Sequence, residues 1–213
     1  MVVLIWLLLS SFLFCSALRY PLKNKPSKSR CDSCHHPLKP KHMIPLLSFI
    51  LLKGKCAYCH QSIEKTNFIA ELFGLMIGLI MSLYSHSWLA HLIIMNCFYL
   101  FFTDYLHHLI PDRIHLFFIL INVHRLNIVT VLIMLIIGLC LLPFVNQQLF
   151  GMGDVKLMIS STIHLNLIQV NWLILCASLL SIILILGRKK AQSEPFPFGC
   201  SWAVCYLLLN HLV

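Results

Sequence analysis

From Leu157 to Gly187 the chain runs 31 residues without a Lys, Arg, Asp or Glu. One helix over that run would reach about 46 Å, well beyond the roughly 30 Å of bilayer hydrocarbon. The run therefore predicts two shorter membrane helices with a break near Asn166 to Asn171. Further apolar runs occupy 68–84, 88–103, 114–123, 126–145 and 198–213, separated by short polar breaks. With the uncharged segment Met1 to Leu18 they make an all-α, polytopic membrane protein of about eight transmembrane helices. A composition of 59% hydrophobic and 11% charged residues agrees with that solvent and excludes an ordinary soluble domain. The run 114–123 is short for a crossing, and its behaviour matters. If it crosses, Asp104 and Asp154 lie on the same side of the membrane; if it does not, they lie on opposite sides.

The first segment lacks the basic start of a secretory signal, and Cys15 follows Phe14 rather than the small residue of a lipoprotein site. It is expected to be a retained span. Ten of the sixteen Lys and Arg residues then fall between Arg19 and Lys65. In a soluble protein a formal charge of +9 would suggest a nucleic-acid partner. Here its clustering in one loop follows the positive-inside rule, so the loop is expected in the cytoplasm, in contact with anionic membrane lipids and with no nucleic acid. The Arg188-Lys189-Lys190 run is expected on the same side. The organisation is then a first transmembrane helix over 1–18, a cytoplasmic cysteine loop over 19–67 and a membrane core over 68–213.

Within the loop, Cys31-Asp-Ser-Cys34 and Cys56-Ala-Tyr-Cys59 form two C-x-x-C pairs with 21 residues between them. Four thiolates at this spacing can close a tetrahedral structural zinc site, a zinc-knuckle loop. Disulfides or a redox pair are the alternatives, and a reducing cytoplasm disfavours both. His35, His36 and His60 stand beside the pairs and can substitute for a ligand. The other six cysteines lie in apolar segments, where Cys serves as a small hydrophobe.

Only seven Asp and Glu occur in 213 residues, and Glu71, Asp104, Asp112 and Asp154 lie in or at the ends of apolar runs. An acid at the membrane edge is a functional-site candidate by default. Two carboxylates held close share one proton. The ionised member can then take a proton from water while the protonated one polarises a carbonyl. Asp154, in Gly151-Met-Gly153-Asp154, suits one half of such a pair, because two glycines allow unusual backbone angles and close approach. Asp104, at the end of an apolar run, is the expected partner. Asp112 follows Pro111 and reads as a helix cap. Lys156 either stabilises ionised Asp154 or extends to the headgroups. His107 and His108 are proton carriers or solvated interfacial residues, and Glu71 is open to a structural or a site role.

Taken together, SRCDSCHHPL, IPLLSFILLKGKCAYCHQSI, TDYLHHLIPD, GMGDVKL and PFPFG resemble, in order and spacing, the type IV prepilin peptidases, a family of GxGD-type membrane aspartyl proteases. The resemblance covers nearly the whole chain. It implies a cytoplasm-facing peptidase of the bacterial cell membrane that removes the short basic leader of prepilins or pseudopilins. Asp104 and Asp154 match the catalytic aspartates, with Gly151, Gly153 and Lys156 around them, and Cys31, Cys34, Cys56 and Cys59 match the family's metal-binding loop. Methylation of the new N-terminus with S-adenosylmethionine is implied by the resemblance alone, since no glycine-rich strand-turn-helix fingerprint is present. The short chain and compact loops look like the competence or secretion peptidases of Gram-positive bacteria. A membrane thiol oxidoreductase would use the C-x-x-C pairs but leave GMGD unexplained. A cation transporter would place its acids near the midplane rather than at span ends.

Overall fold

A computed structural model describes residues 2–21, 29–31, 33–84, 87–147, 150–187 and 196–212. Lys23, Lys25, Lys28 and the Arg188-Lys189-Lys190 run, on which the expected sidedness leans, lie outside the described residues. So do Met1, Asp32, Pro195 and Val213 from the segments given above. The described residues are helical, with turns and two isolated antiparallel bridges, and form two compact units, 1–87 and 88–213.

In the first unit, α1 (Val2–Arg19) packs along α3 (Lys65–Tyr84), which presents small residues at intervals of four. Trp6, Ser10, Phe14 and Ala17 form the buried stripe of α1, while Ala70, Gly74 and Gly78 face it on α3. A side chain at Gly78 would start 2.6 Å from Cβ of Trp6, and one at Gly74 would collide with Ser10. Close backbone approach of this kind holds apolar helices together where lipid removes the hydrophobic drive between them. Between the two helices the chain makes a 3-10 turn (Pro40–His42) and the short α2 (Leu47–Leu51). Glu71 accepts from Ser11 Oγ at 2.7 Å and from the Leu46 amide at 2.8 Å, so its carboxylate ties α1, α3 and the loop together. That arrangement is structural.

The second unit contains α4 (Trp88–His107), α5 (Asp112–Asn122), α6 (Ile128–Asn146), α7 (Met152–Thr162), α8 (Leu167–Gly187) and α9 (Phe198–Leu212). Helix α9 packs against both α4 and α8, and α7 against both α5 and α6. Leu100, Phe118, Leu157, Leu173 and Trp202 fill the centre. Some buried polar groups are paired between elements, with Trp202 Nε1 donating to Ser161 Oγ at 3.0 Å and Thr130 Oγ1 to the carbonyl of Leu165 in the α7–α8 turn at 2.7 Å.

Each of the eight expected segments is a helix, but among the described residues only α1, α3, α4, α6 and α8 are long and apolar enough to cross a membrane. Helices α5 and α7 have eleven residues each, and so reach only about 16 Å. The run 114–123 is therefore only about half a span long, and the expected consequence, Asp104 and Asp154 on opposite sides, does not follow, because the charge of Asp104 reaches the Asp154 carboxyl. The long uncharged run does break in two, at Ile163–Asn166 rather than within Asn166–Asn171. The reason is local: Asn166 precedes α8 and its amide donates to Gln169 Oε1 at 2.8 Å, half of an Asn-x-x-Gln capping box. The Asn127 side chain, which caps α6 through the Thr130 amide, also donates to Asn166 Oδ1 at 3.2 Å.

Candidate active site and candidate metal centre

Asp104 sits near the C-terminal end of α4, which stops just beyond it. His108 takes a left-handed φ of +52°, and its amide returns to the Asp104 carbonyl at 2.9 Å. The Asp104 carboxylate is buried and faces the first turn of α9, where the Cys200 amide donates to its Oδ2 at 3.0 Å. The Cys200 thiol donates to the Phe101 carbonyl at 3.2 Å, a second tie between the same helices. A Cβ on Gly199 would stand 2.9 Å from Asp104 Oδ2 and 3.2 Å from its Cγ. No residue with a side chain fits there without displacing the carboxylate.

Asp154 lies in the first turn of α7, whose N-cap is Gly151. The glycines around it serve space rather than backbone angle. Gly151 has an ordinary extended φ of −76°, and Gly54 is the sole glycine with positive φ among the described residues. Unusual angles are therefore not what GMGD supplies. A Cβ on Gly151 would lie 2.7 Å from Asp154 Oδ2, and one on Gly153 would lie 3.3 Å from Ile110 Cβ. Ile110 belongs to the TDYLHHLIPD segment, so the two acid-bearing segments pack on each other at Gly153. Burial and, after it, the nearby charge of Asp104 push the Asp154 carboxyl up to about 7. Among the described residues its carboxylate has no hydrogen-bond donor.

Two expectations change. Lys156 does not reach Asp154; its ammonium pairs with Asp112 Oδ1 at 2.7 Å, and both side chains are exposed. Asp112 is not a cap either, because Pro111 occupies the N-cap and Asp112 is the first helical residue, making no capping hydrogen bond. Its carboxylate is still well placed beside the positive end of α5. Lys156 holds the Asp112 carboxyl below its usual range. The residues that sequence reasoning did not single out are Gly199, Cys200 and Ile110; the glycine in PFPFG was the available signal for the first.

In the first unit the ligand atoms of Cys31, Cys34, Cys56 and Cys59 all lie within 4.8 Å of one another, with Cys31 and Cys59 Sγ 3.9 Å apart. Sulfurs about 2.3 Å from a tetrahedral zinc would be about 3.8 Å apart, so the cluster is close to the size of such a site and can hold a metal ion. Both halves are built alike. The amides of Cys31 and Cys56 bond the carbonyls of His36 and Gln61, and those of His35 and His60 return to the carbonyls of Cys31 and Cys56. His35 and His60 hold φ of +56° and +58°, so they act as turn residues and stand outside the ligand set. Amides of Cys59 and Tyr58 directed at the Cys56 sulfur lower its thiol to about 6, toward the thiolate a metal needs. The His36 ring contacts Tyr58 at 3.8 Å between centroids, joining one half to the other.

Residues 4–85 match the family model described as the bacterial peptidase A24 N-terminal domain. A prepilin leader peptidase/N-methyltransferase of Dichelobacter nodosus is 28% identical over 190 residues, covering 80% of this chain and 66% of the relative. That alignment necessarily extends into the second unit. The chain is similar to the type IV prepilin peptidases over most of its length. Prepilin leader peptidase/N-methyltransferases from Bacillus subtilis and Aeromonas salmonicida are 32% identical over 123 residues and 27% identical over 194 residues. The Bacillus alignment covers 53% of this chain and 48% of the relative, and the Aeromonas alignment 81% and 67%. The chain thus spans about two thirds or less of the length of these relatives. No solved structure matches it significantly. The second unit carries both acid-bearing segments and the first unit carries the cysteine cluster.

Proposed function

We propose that this chain is a prepilin leader peptidase of the bacterial cell membrane, an aspartic endopeptidase that cuts the short basic leader of type IV prepilins or pseudopilins. The observation that carries this reading is the convergence of Asp104 and Asp154, fifty positions apart in sequence, within electrostatic reach of each other. In the proposed hydrolysis one carboxylate takes a proton from water as the oxygen attacks the scissile carbonyl carbon. The protonated partner donates to the carbonyl oxygen. The resulting diol collapses as the C–N bond breaks, the leaving amine takes the first proton, and a diol proton restores the acid. Both carboxylates return to their starting state, and peptide plus water gives acid plus amine.

Cys31, Cys34, Cys56 and Cys59 would hold one zinc ion, a closed four-sulfur site that supplies folding energy to the loop and leaves no open position for chemistry. The relatives are also named as N-methyltransferases, which supports N-methylation of the mature N-terminus as a second activity. A cavity of about 370 Å³ beside the cysteines is lined by Leu51, Leu52, Lys53, Lys55, Cys56, Ala57 and His60. It offers cations and no carboxylate to a sulfonium cofactor, so it does not fit S-adenosylmethionine and no methyl-transfer step is derived.

The test is co-expression of a prepilin with wild type, Asp104→Asn or Asp154→Asn at matched membrane levels. Each variant should lose at least about a thousandfold in cleavage, because paired catalytic groups act as a unit. Normal processing by Asp154→Asn would remove the protease reading. Labelling reporters at His108 and Met152 should both report the cytoplasm, and labelling of Met152 from outside would break the pair.

A further inference from the structure

We propose that Gly199 is a positioning residue for the reaction, one that brings the Cys200 amide onto Asp104 and so makes Asp104 the charge-bearing, water-activating member of the pair. The inference rests on the peptidase reading and goes beyond it by giving the two acids different roles and by assigning a task to PFPFG.

Three observations lead to it. The Cys200 amide, in the first turn of a fifteen-residue helix, donates to Asp104 Oδ2 at 3.0 Å. Donors at a helix N-terminus favour the charged form of the carboxylate they meet. The approach exists because residue 199 has no side chain: a Cβ would stand 2.9 Å, 3.2 Å and 3.4 Å from Oδ2, Cγ and Cβ of Asp104. The three nearest atoms all belong to Asp104, and its Cβ and Cγ cannot move away without shifting α4 or rotating the carboxylate off the amide. Finally, the partner is treated differently. Asp154 also begins a helix, yet its carboxylate receives no hydrogen bond among the described residues and approaches Gly151 instead. One acid is seated on a donor and the other is not, which is the asymmetry a shared-proton pair needs to start each cycle the same way round.

In the reaction, Asp104 then accepts the proton of the attacking water while Asp154 donates to the carbonyl oxygen, and both protons move on as the C–N bond breaks. Gly199 touches no reacting atom. Its effect passes through Asp104, so it should appear in the chemical step rather than in substrate binding.

Purified full-length enzyme in detergent micelles, with a prepilin as substrate, provides the test. Gly199→Ala should lower kcat by about tenfold to a hundredfold, the scale of a 1 Å misplacement at a reacting group, with KM within about threefold of wild type. Gly187→Ala, where a Cβ meets nothing within 4 Å, should leave both constants unchanged. Because Gly199→Ala can fail to insert, a second pair isolates the amide. Cys200→Pro removes the N–H at a first-turn position that tolerates proline, whereas Cys200→Ala keeps it. The proline variant should have a kcat at least about tenfold below the alanine variant at equal thermal stability. If Gly199→Ala keeps its kcat within twofold, if its loss appears in KM alone, or if the two Cys200 variants turn over alike, the inference is wrong while the peptidase reading stands. If wild type itself leaves the prepilin uncut, the peptidase reading fails and takes the inference with it.

Discussion

The Lys156 ammonium lies 2.7 Å from Asp112 Oδ1, 44 positions back in the chain, and not beside Asp154, which is two positions away. Burial and the nearby charge of Asp104, rather than Lys156, therefore act on the Asp154 carboxyl, and Asp112 is committed to a surface pair.

That division predicts a contrast between acids. Exposed ion pairs contribute about 0–1 kcal/mol, so Asp112→Asn and Lys156→Ala should each retain cleavage within about fivefold of wild type and lower thermal stability only slightly. The mature-to-precursor ratio of a co-expressed prepilin measures it. A dead Asp112→Asn beside an active Asp104→Asn would make Asp112 the partner.

The glycines before Asp154 should differ in their tolerance. A Cβ on Gly151 would press on Asp154 Oδ2 at 2.7 Å, whereas one on Gly153 would meet Ile110 Cβ at 3.3 Å. Gly151→Ala should therefore reduce cleavage directly, by about tenfold or more if the carboxylate is displaced by 1 Å. Gly153→Ala should be milder and Gly153→Val severe, with Ile110→Ala restoring part of the loss. Failure of the Ile110→Ala rescue would separate Gly153 from that contact.

Asp154 also makes a prediction about stability that needs no substrate. Its carboxyl is raised from 3.8 to about 7 by burial first and Asp104 second. A raised carboxyl means the folded state binds the proton more tightly than the unfolded one. The stabilisation is complete below about pH 4 and is lost as pH rises through about 7. Asp154→Asn lacks that loss, so its melting temperature should exceed that of wild type by a few degrees at pH 8 and by less at pH 5. A difference that stays constant across this window would contradict the burial of the carboxyl. Cleavage that needs the Asp154 proton should decline above about pH 7.

Metal content gives an independent check on the first unit. Purified protein should carry about one zinc per chain. Cys34→Ser or Cys59→Ser should lower that occupancy and destabilise the loop, while residual cleavage persists because the carboxylates lie in the other unit. Four thiols found as disulfides would exclude the closed site.

Much of this architecture was legible because membrane helices announce themselves through uncharged runs, and all eight expected segments are helices. The cysteine cluster was legible from spacing alone, since a C-x-x-C turn leaves its sulfurs few places to go. Asp104 and Asp154 stood out because acids are scarce here. What the sequence did not reveal depends on distant pairs. Nothing local tells Lys156 to choose Asp112, or Gly199 to make room for Asp104, 95 positions earlier. The length of α5 was equally hidden, because a half-length helix and a full span share the same apolar composition. The break expected near Asn166 to Asn171 lies at Ile163–Asn166 and so shares only Asn166 with the expectation, because Gln169 caps the helix that Asn166 begins.

The brevity of α5 has a consequence for the surrounding lipid. Its start carries Asp112 and Arg113, and Val123–Arg125 follows its end with His124 and Arg125 exposed. Those polar ends are only about 16 Å apart along the axis, too close to flank about 30 Å of hydrocarbon. A bilayer that wraps this unit is therefore expected to dimple beside α5, and such a dimple would admit water toward the proposed hydrolysis. Mismatch costs fractions of a kcal/mol per Å, so reconstitution in long-chain lipids should slow cleavage relative to short-chain lipids, and equal rates in both would mean that no such dimple forms.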